Sequence, residues 1–318
     1  MTWMPFMCLG AGFLIALKQL SDRMLKAFDA AVNAALIILM ITIGMNIGIN
    51  DSVMQNLGSI GVNCAIISLC ATACSVILVV LVEKTVLPLK ALQEKLHAES
   101  LNINSEVDIE QERDKKISPL VWIMPASIVS GVAAGYFLMS VKQQEILGTI
   151  LLLSLVLLYT SVGISLGVNR KVFGYIRVLG FKVLYIPIAI FAGSMAGGLL
   201  SGTVLEVPLH VSVISAGGMS YYSLTGAYMT SACGIEAGTY GFVVNVMREF
   251  FTVILLPLLI RISKGSPIAA GAAGCMDTML VPVTKFVGAE LGLVALIAGV
   301  ILTFAVPIIL PLLYGVCL

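Results

Sequence analysis

The chain has 318 residues, of which 59% are hydrophobic and only 11% charged, with a net charge of +1 and a mean hydropathy of +1.06. A soluble globular domain is usually about 45–50% apolar and about 25% charged. Composition therefore excludes a soluble domain, and the near-zero net charge points to no nucleic acid or other charged macromolecule.

Charge-free stretches run over 1–17, 30–50, 52–82, 117–141, 146–169, 183–205, 207–235 and 291–318. A bilayer core is ~30 Å thick and a helix rises ~1.5 Å per residue, so about 20 apolar residues make a span. Lipid offers the backbone no partners, so helices are the expected solution. These stretches predict an all-α polytopic protein embedded in membrane lipid.

Taken in chain order, 1–17 has no cation before it and Lys18, Arg23 and Lys26 after it. That is a first spanning helix rather than a cleavable signal. Lys and Arg concentrate on the cytoplasmic side, which places the N-terminus outside. Helices over 30–56 and 59–82 form a hairpin, and the polar loop 83–118 follows inside. Helices 119–141 and 146–169 lead out and back to a second basic loop with Arg170, Lys171, Arg177 and Lys182, and 183–205 exits again. The segment 207–236 is rich in Gly, Ser, Thr and Tyr. Next come an apolar stretch, 237–260, and the cations Arg261 and Lys264. A second small-residue segment, 266–289, precedes the final apolar run.

If 207–236 and 266–289 both span, there are ten helices. If both are re-entrant hairpins, there are about eight. The eight-helix reading leaves only Lys142 outside and Arg248 in the membrane, with every other cation inside; it is preferred, and both ends then lie outside. All seven cysteines lie in apolar stretches and read as packing residues. Cys70 and Cys74 share a helix face, but no second ligand pair or nearby His makes a metal site. His97 and His210 suggest none either.

The chain also matches itself at an offset of 119. Trp3 matches Trp122, Gly12 matches Gly131, and the run from Gly44 through Gly48 to Asn50 matches that from Gly163 through Gly167 to Asn169. Copies three helices apart cross a membrane in opposite senses, so 1–82 and 119–205 are an expected inverted repeat, a recurring plan of secondary transporters. Hairpin-plus-helix units over 207–260 and 266–318 extend the idea, an arrangement analogous to glutamate-transporter-like elevator proteins.

A charge inside a bilayer costs about 2.5–3.5 kcal/mol on insertion scales and marks function by default. Arg248 and Glu249 lie in the middle of 237–260, about 100° apart around the helix, so Arg248 is expected to be neutralised by another acid while Glu249 faces a transport cavity. A static Arg248–Glu249 ion pair is the alternative. Asp51 is either an ordinary helix-end residue or an inward-facing cation or proton site. Asp277 falls at the expected tip of the second hairpin, where half-helix ends bind substrates and ions. Gly217, Gly218, Ser220, Tyr221, Tyr222, Ser223, Thr225 and Gly226 form a candidate gate or cradle at the first, with Gly274 in the second; close helix packing would also use such residues. No phosphate loop is present and no nucleophile–base pair stands out, so an enzyme is not expected.

The stretch Gly217–Gly226, the group Met247-Arg248-Glu249 with Leu256-Pro257, and Gly274-Cys275-Met276-Asp277-Thr278 with Pro282 resemble the LysO lysine-exporter family of bacterial inner membranes. The segment from Gly44 through Gly48 to Asp51 is similar too. The resemblance implies a cell inner-membrane antiporter that exports L-lysine, and analogues such as thialysine, against protons, with eight spans and both ends outside. It implies two functional intramembrane acids, which fall on Asp51 and Glu249. Asp51 and Glu249 are expected to alternate between protons and the lysine ammonium. No cofactor is called for beyond the proton gradient, and homo-oligomerisation is left open. A transporter of another small solute, carboxylate or cation, and a non-transporting receptor or assembly factor are the other readings.

Overall fold

The computed structural model describes residues 4–16, 22–100, 120–139, 144–168, 176 and 179–317. Trp3, Lys18, the end of the polar loop, Lys142, Arg170, Lys171 and Arg177 lie outside the described residues, as do the side chains of Arg23, Lys26, His97 and Trp122.

All described regular structure is helical. The first part comprises α1 (Met4–Ala16), α2 (Asp22–Ile49), the short α3 (Asp51–Gln55), α4 (Leu57–Thr85) and α5 (Leu89–Ser100). Then come α6 (Leu120–Leu138), α7 (Gln144–Val168) and, after a 3-10 turn at Phe181–Leu184, α8 (Tyr185–Val204). Neither small-residue segment is a continuous helix. The first breaks into α9 (Leu209–Ala216) and α10 (Tyr222–Cys233) and leads into α11 (Ile235–Ile262). The second breaks into α12 (Ser266–Gly271), a 3-10 turn at Ala272–Met276 and α13 (Leu280–Val287), leading into α14 (Ala289–Cys317).

Six described helices are long and apolar enough to cross a membrane: Ala30–Ile49, Leu57–Thr85, Glu145–Val168, Phe181–Val204, Ile235–Ile262 and Ala289–Gly315. This is a multi-pass membrane protein. The helices α9, α10, α12 and α13 have 8, 12, 6 and 8 residues, and at ~1.5 Å per residue none reaches across ~30 Å.

The helices pack as two bodies. In one, α1 lies on α7 and α2 on both α6 and α7. In the other, α4 packs on α8, and these two carry α9, α11 and α12, with α10 on α11 and α13 on α14. The bodies touch chiefly where α10 meets α2 and α7. Small residues bring backbones together in the first body. A methyl group on Gly12 would strike the Thr160 carbonyl, and one on Gly131 that of Ile41; Gly44 abuts Ile128, and Gly163 abuts Leu9. In each case the glycines are 119 residues apart, and so are the residues they touch. The α4–α8 crossing bears the same number: Ser75 Oγ lies 3.1 Å from Ser194 Oγ, 119 positions away.

A second register, at 54 residues, relates the two broken segments. Thr230, Gly234, Glu236 and Gly238 match Thr284, Gly288, Glu290 and Gly292, and Ile254-Leu255-Leu256-Pro257-Leu258-Leu259 matches Ile308-Ile309-Leu310-Pro311-Leu312-Leu313. The structure keeps the correspondence. Gly234 and Gly288 turn the chain at φ +92° and +97°, a region only glycine enters without strain, and each starts a helix of 28 or 29 residues. Gly238 packs on Thr230 as Gly292 packs on Thr284.

The first broken segment leads into the start of α11 and the second follows its end, and α4 runs alongside both ends. Near the start of α11, Asn63 of α4 donates to Tyr240; just beyond the end of α11, Gly265 N donates to Glu83 at the far end of α4. The tips meet, with Ala273 N donating to the Met219 carbonyl at 3.0 Å. These residues too are 54 apart.

Candidate functional site

Three side chains on one face of α11, Asn245, Arg248 and Glu249, organise the meeting point. Positions i, i+3 and i+4 stack together on a helix, so one helix can address both tips. Asn245 takes the first: its Oδ1 accepts from Ser220 N at 2.7 Å, while its Nδ2 donates to the carbonyls of Ser215 and Gly241. The backbone it holds is strained, with Met219 at φ +48° and Ser220 at +77°, values costly for residues with a Cβ. Gly218 fits there because a methyl group would collide with Thr225 Oγ1 and Asn245 Nδ2.

Arg248 takes the second tip. It is 1% exposed, and its guanidinium donates to the carbonyls of Ala269 and Ala270 and to the hydroxyls of Ser75 and Ser194. Where an acidic partner was expected, the described hydrogen bonds run to neutral oxygens. The reason is local: α12 ends at Gly271, and the last carbonyls of a helix have no intrahelical donor and carry its negative dipole end. Ala272, at φ +48°, turns the chain directly after them.

Between the tips and the first body lies a cavity of about 500 Å³. Glu249 lines it, as do Ser220, Tyr221, Tyr222 and Ser223 from the first tip and Gly274, Met276, Asp277 and Thr278 from the second. Thr303 of α14 joins them, and Asn33 on α2 with Ser161 and Ser165 on α7 supply polar groups of the opposite wall. Glu249 Oε1 accepts from Thr278 Oγ1 at 2.8 Å. Gly274 leaves room for that carboxylate, since a methyl group there would sit 2.8 Å from the same oxygen. The Tyr222 ring packs edge-on against Phe242, centroids 5.6 Å apart.

Other expected residues stand behind the lining. Thr225 is buried and donates to the Tyr221 carbonyl. Gly217 makes room for Leu313, and Gly226 for Phe242. Arg248 supports the tip without lining the cavity. Asp51 does not reach the cavity at all: α2 stops at Ile49, Asn50 caps α3 by accepting from Val53 N, and Asp51 is exposed in the first turn of that short helix. An acidic side chain there suits the helix dipole without any cation.

Asn245, Thr278, Thr303, Ser75 and Ser194 were not singled out from the sequence. None carries a charge. The 54-residue register would have pointed to Thr303, the counterpart of Glu249, as it pairs Ser223 with Asp277.

The chain matches the lysine exporter LysO family over residues 6–97 and 126–314. It is 26% identical over 299 residues to "Lysine exporter LysO" of Escherichia coli (strain K12), covering 94% of each chain. It is 28% identical over 123 residues to "Putative lysine exporter" of Haemophilus influenzae (strain ATCC 51907 / DSM 11121 / KW20 / Rd), covering 38% of this chain and 63% of that one. No solved structure matches. With most of its length matched, the chain is a transporter rather than an enzyme, and it belongs to the lysine exporter LysO family.

Proposed function

We propose that the protein is a secondary active exporter of L-lysine, and of close analogues such as thialysine, that exchanges its substrate for protons across the bacterial inner membrane. One observation carries the reading: the cavity between the two bodies is lined by two carboxyl groups, Glu249 and Asp277, and by no cationic side chain among the described residues. An acidic, largely apolar chamber is suited to an ammonium group. Exporting a cation against an inside-negative potential costs about 2.3 kcal/mol per charge per 100 mV, and inward protons offset that work.

In this reading the four short helices are two re-entrant hairpins, the spans number eight and both termini face outward. Both internal registers are inverted repeats, whose interface near the midplane is the usual place for a substrate site. Supporting it are the places of the two broken segments at the start and the end of α11 and the bonds joining counterpart residues. The hairpin body slides past the panel of α1, α2, α6 and α7, carrying Glu249 and Asp277 from one side to the other. Asp51, exposed at the start of α3, is a cation or proton station outside the chamber.

The test is lysine-driven proton movement in proteoliposomes. Glu249→Gln is expected to abolish it. Wild-type rates and proton stoichiometry in that variant would sink the scheme.

A further inference from the structure

Lysine carries a carboxylate as well as ammonium groups, and the chamber offers it no cation among the described residues. Arg248, the residue next to Glu249, spends its guanidinium on Ser75, Ser194 and the end of α12. The carboxylate must therefore find a neutral donor. A hydroxyl has one proton to give, and Ser161, Thr278 and Thr303 give theirs to Leu158 O, Glu249 and Ala273 O. Ser165, Tyr221, Tyr222 and Ser223 also line the chamber, but Ser220, 3% exposed, is the lining residue whose hydroxyl is held buried with no partner among the described residues. Burying a hydroxyl without a partner is costly, as is its φ of +77°. Asn245 maintains the arrangement with its acceptor and both its donors engaged.

From this we infer that the Ser220 hydroxyl donates to the substrate's α-carboxylate, and that Asn245 is the positioning residue that presents it. The inference rests on the lysine reading above and deepens it: Ser220 is where an amino acid is distinguished from a bare diamine. The amines supply most of the affinity through Glu249 and Asp277, and the hydroxyl reads the group that a diamine lacks.

The probes are L-lysine and pentane-1,5-diamine, which is lysine without its carboxylate, competing with labelled lysine on the purified full chain. The wild type should bind both. In Ser220→Ala, lysine affinity should fall about 10- to 100-fold, the range of a lost hydrogen bond to a charged group. Diamine affinity should stay within about twofold, which also shows that the variant is folded. Asn245→Ala should give the same split, and the double variant should be no worse than the poorer single, because both act through one hydroxyl. Parallel loss of both probes, loss of neither, or a wild type that ignores the diamine overturns the inference. A wild type that neither binds nor moves lysine overturns the functional reading beneath it.

Discussion

The two broken-helix units, 207–260 and 266–318, share a frame and divide the chemistry. Each has a broken tip, a left-handed glycine and a long proline-containing helix in matching register. The first sets its acid on the long helix, Glu249, and hydroxyls at its tip; the second sets its acid at the tip, Asp277, and a hydroxyl, Thr303, on the long helix. The positions of Ser220 and Gly274 repeat the contrast. A side chain fits at the first, while Glu249 occupies the space at the second. Packing residues have kept their places, and the lining has been free to differ wherever the frame did not depend on it.

That contrast can be broken by substitution. The largest effect, after loss of Glu249, is expected from Asp277→Asn, with lysine affinity reduced about 30-fold or more. Ser223→Ala, at the matching position, should change it by less than about threefold. Equal losses in titration calorimetry would show that the halves do not divide the work. Gly274→Ala pushes a methyl group at the Glu249 carboxylate, and overpacking of this kind typically costs about 1–3 kcal/mol. Transport should slow by about tenfold and the thermal unfolding temperature should fall by about 2–4 °C; an unimpaired rate would mean that Glu249 can sit elsewhere. The smallest effect concerns the other register. Ser75→Ala and Ser194→Ala each remove one hydroxyl from Arg248 and should lower stability equally, by about 1 kcal/mol in denaturant unfolding. A loss confined to one of them would break the symmetry of that crossing.

Much of this was legible in the chain because bilayer burial leaves a strong trace. Charge-free stretches marked the long helices, and Glu249 and Asp277 stood out as acids in apolar surroundings; both line the chamber. The partner of Arg248 was not legible, since carbonyls freed at a helix end have no side-chain signature. Asp51 stood between two readings, a helix-end residue and an inward-facing site, for want of one cue. Asn50 is a good N-cap residue, and reading it so ends α2 before the acid. Asn245 left no sign because its role is to bond a backbone bent by tertiary contacts.

The bond between Met219 and Ala273 joins a residue to its own counterpart, as does the contact of Ser75 with Ser194. Contacts of this kind are what a two-fold dimer makes with itself. This chain makes one such contact at each of its two registers, 119 and 54 residues, within one polypeptide. A single chain permits what identical subunits forbid. A chamber formed by two equal copies of either broken-helix unit would carry its acid twice, in places that symmetry dictates. Within one polypeptide each pair of positions is free to differ: Glu249 is matched by Thr303 and Asp277 by Ser223, so the halves contribute unlike groups and an asymmetric ligand meets an asymmetric wall.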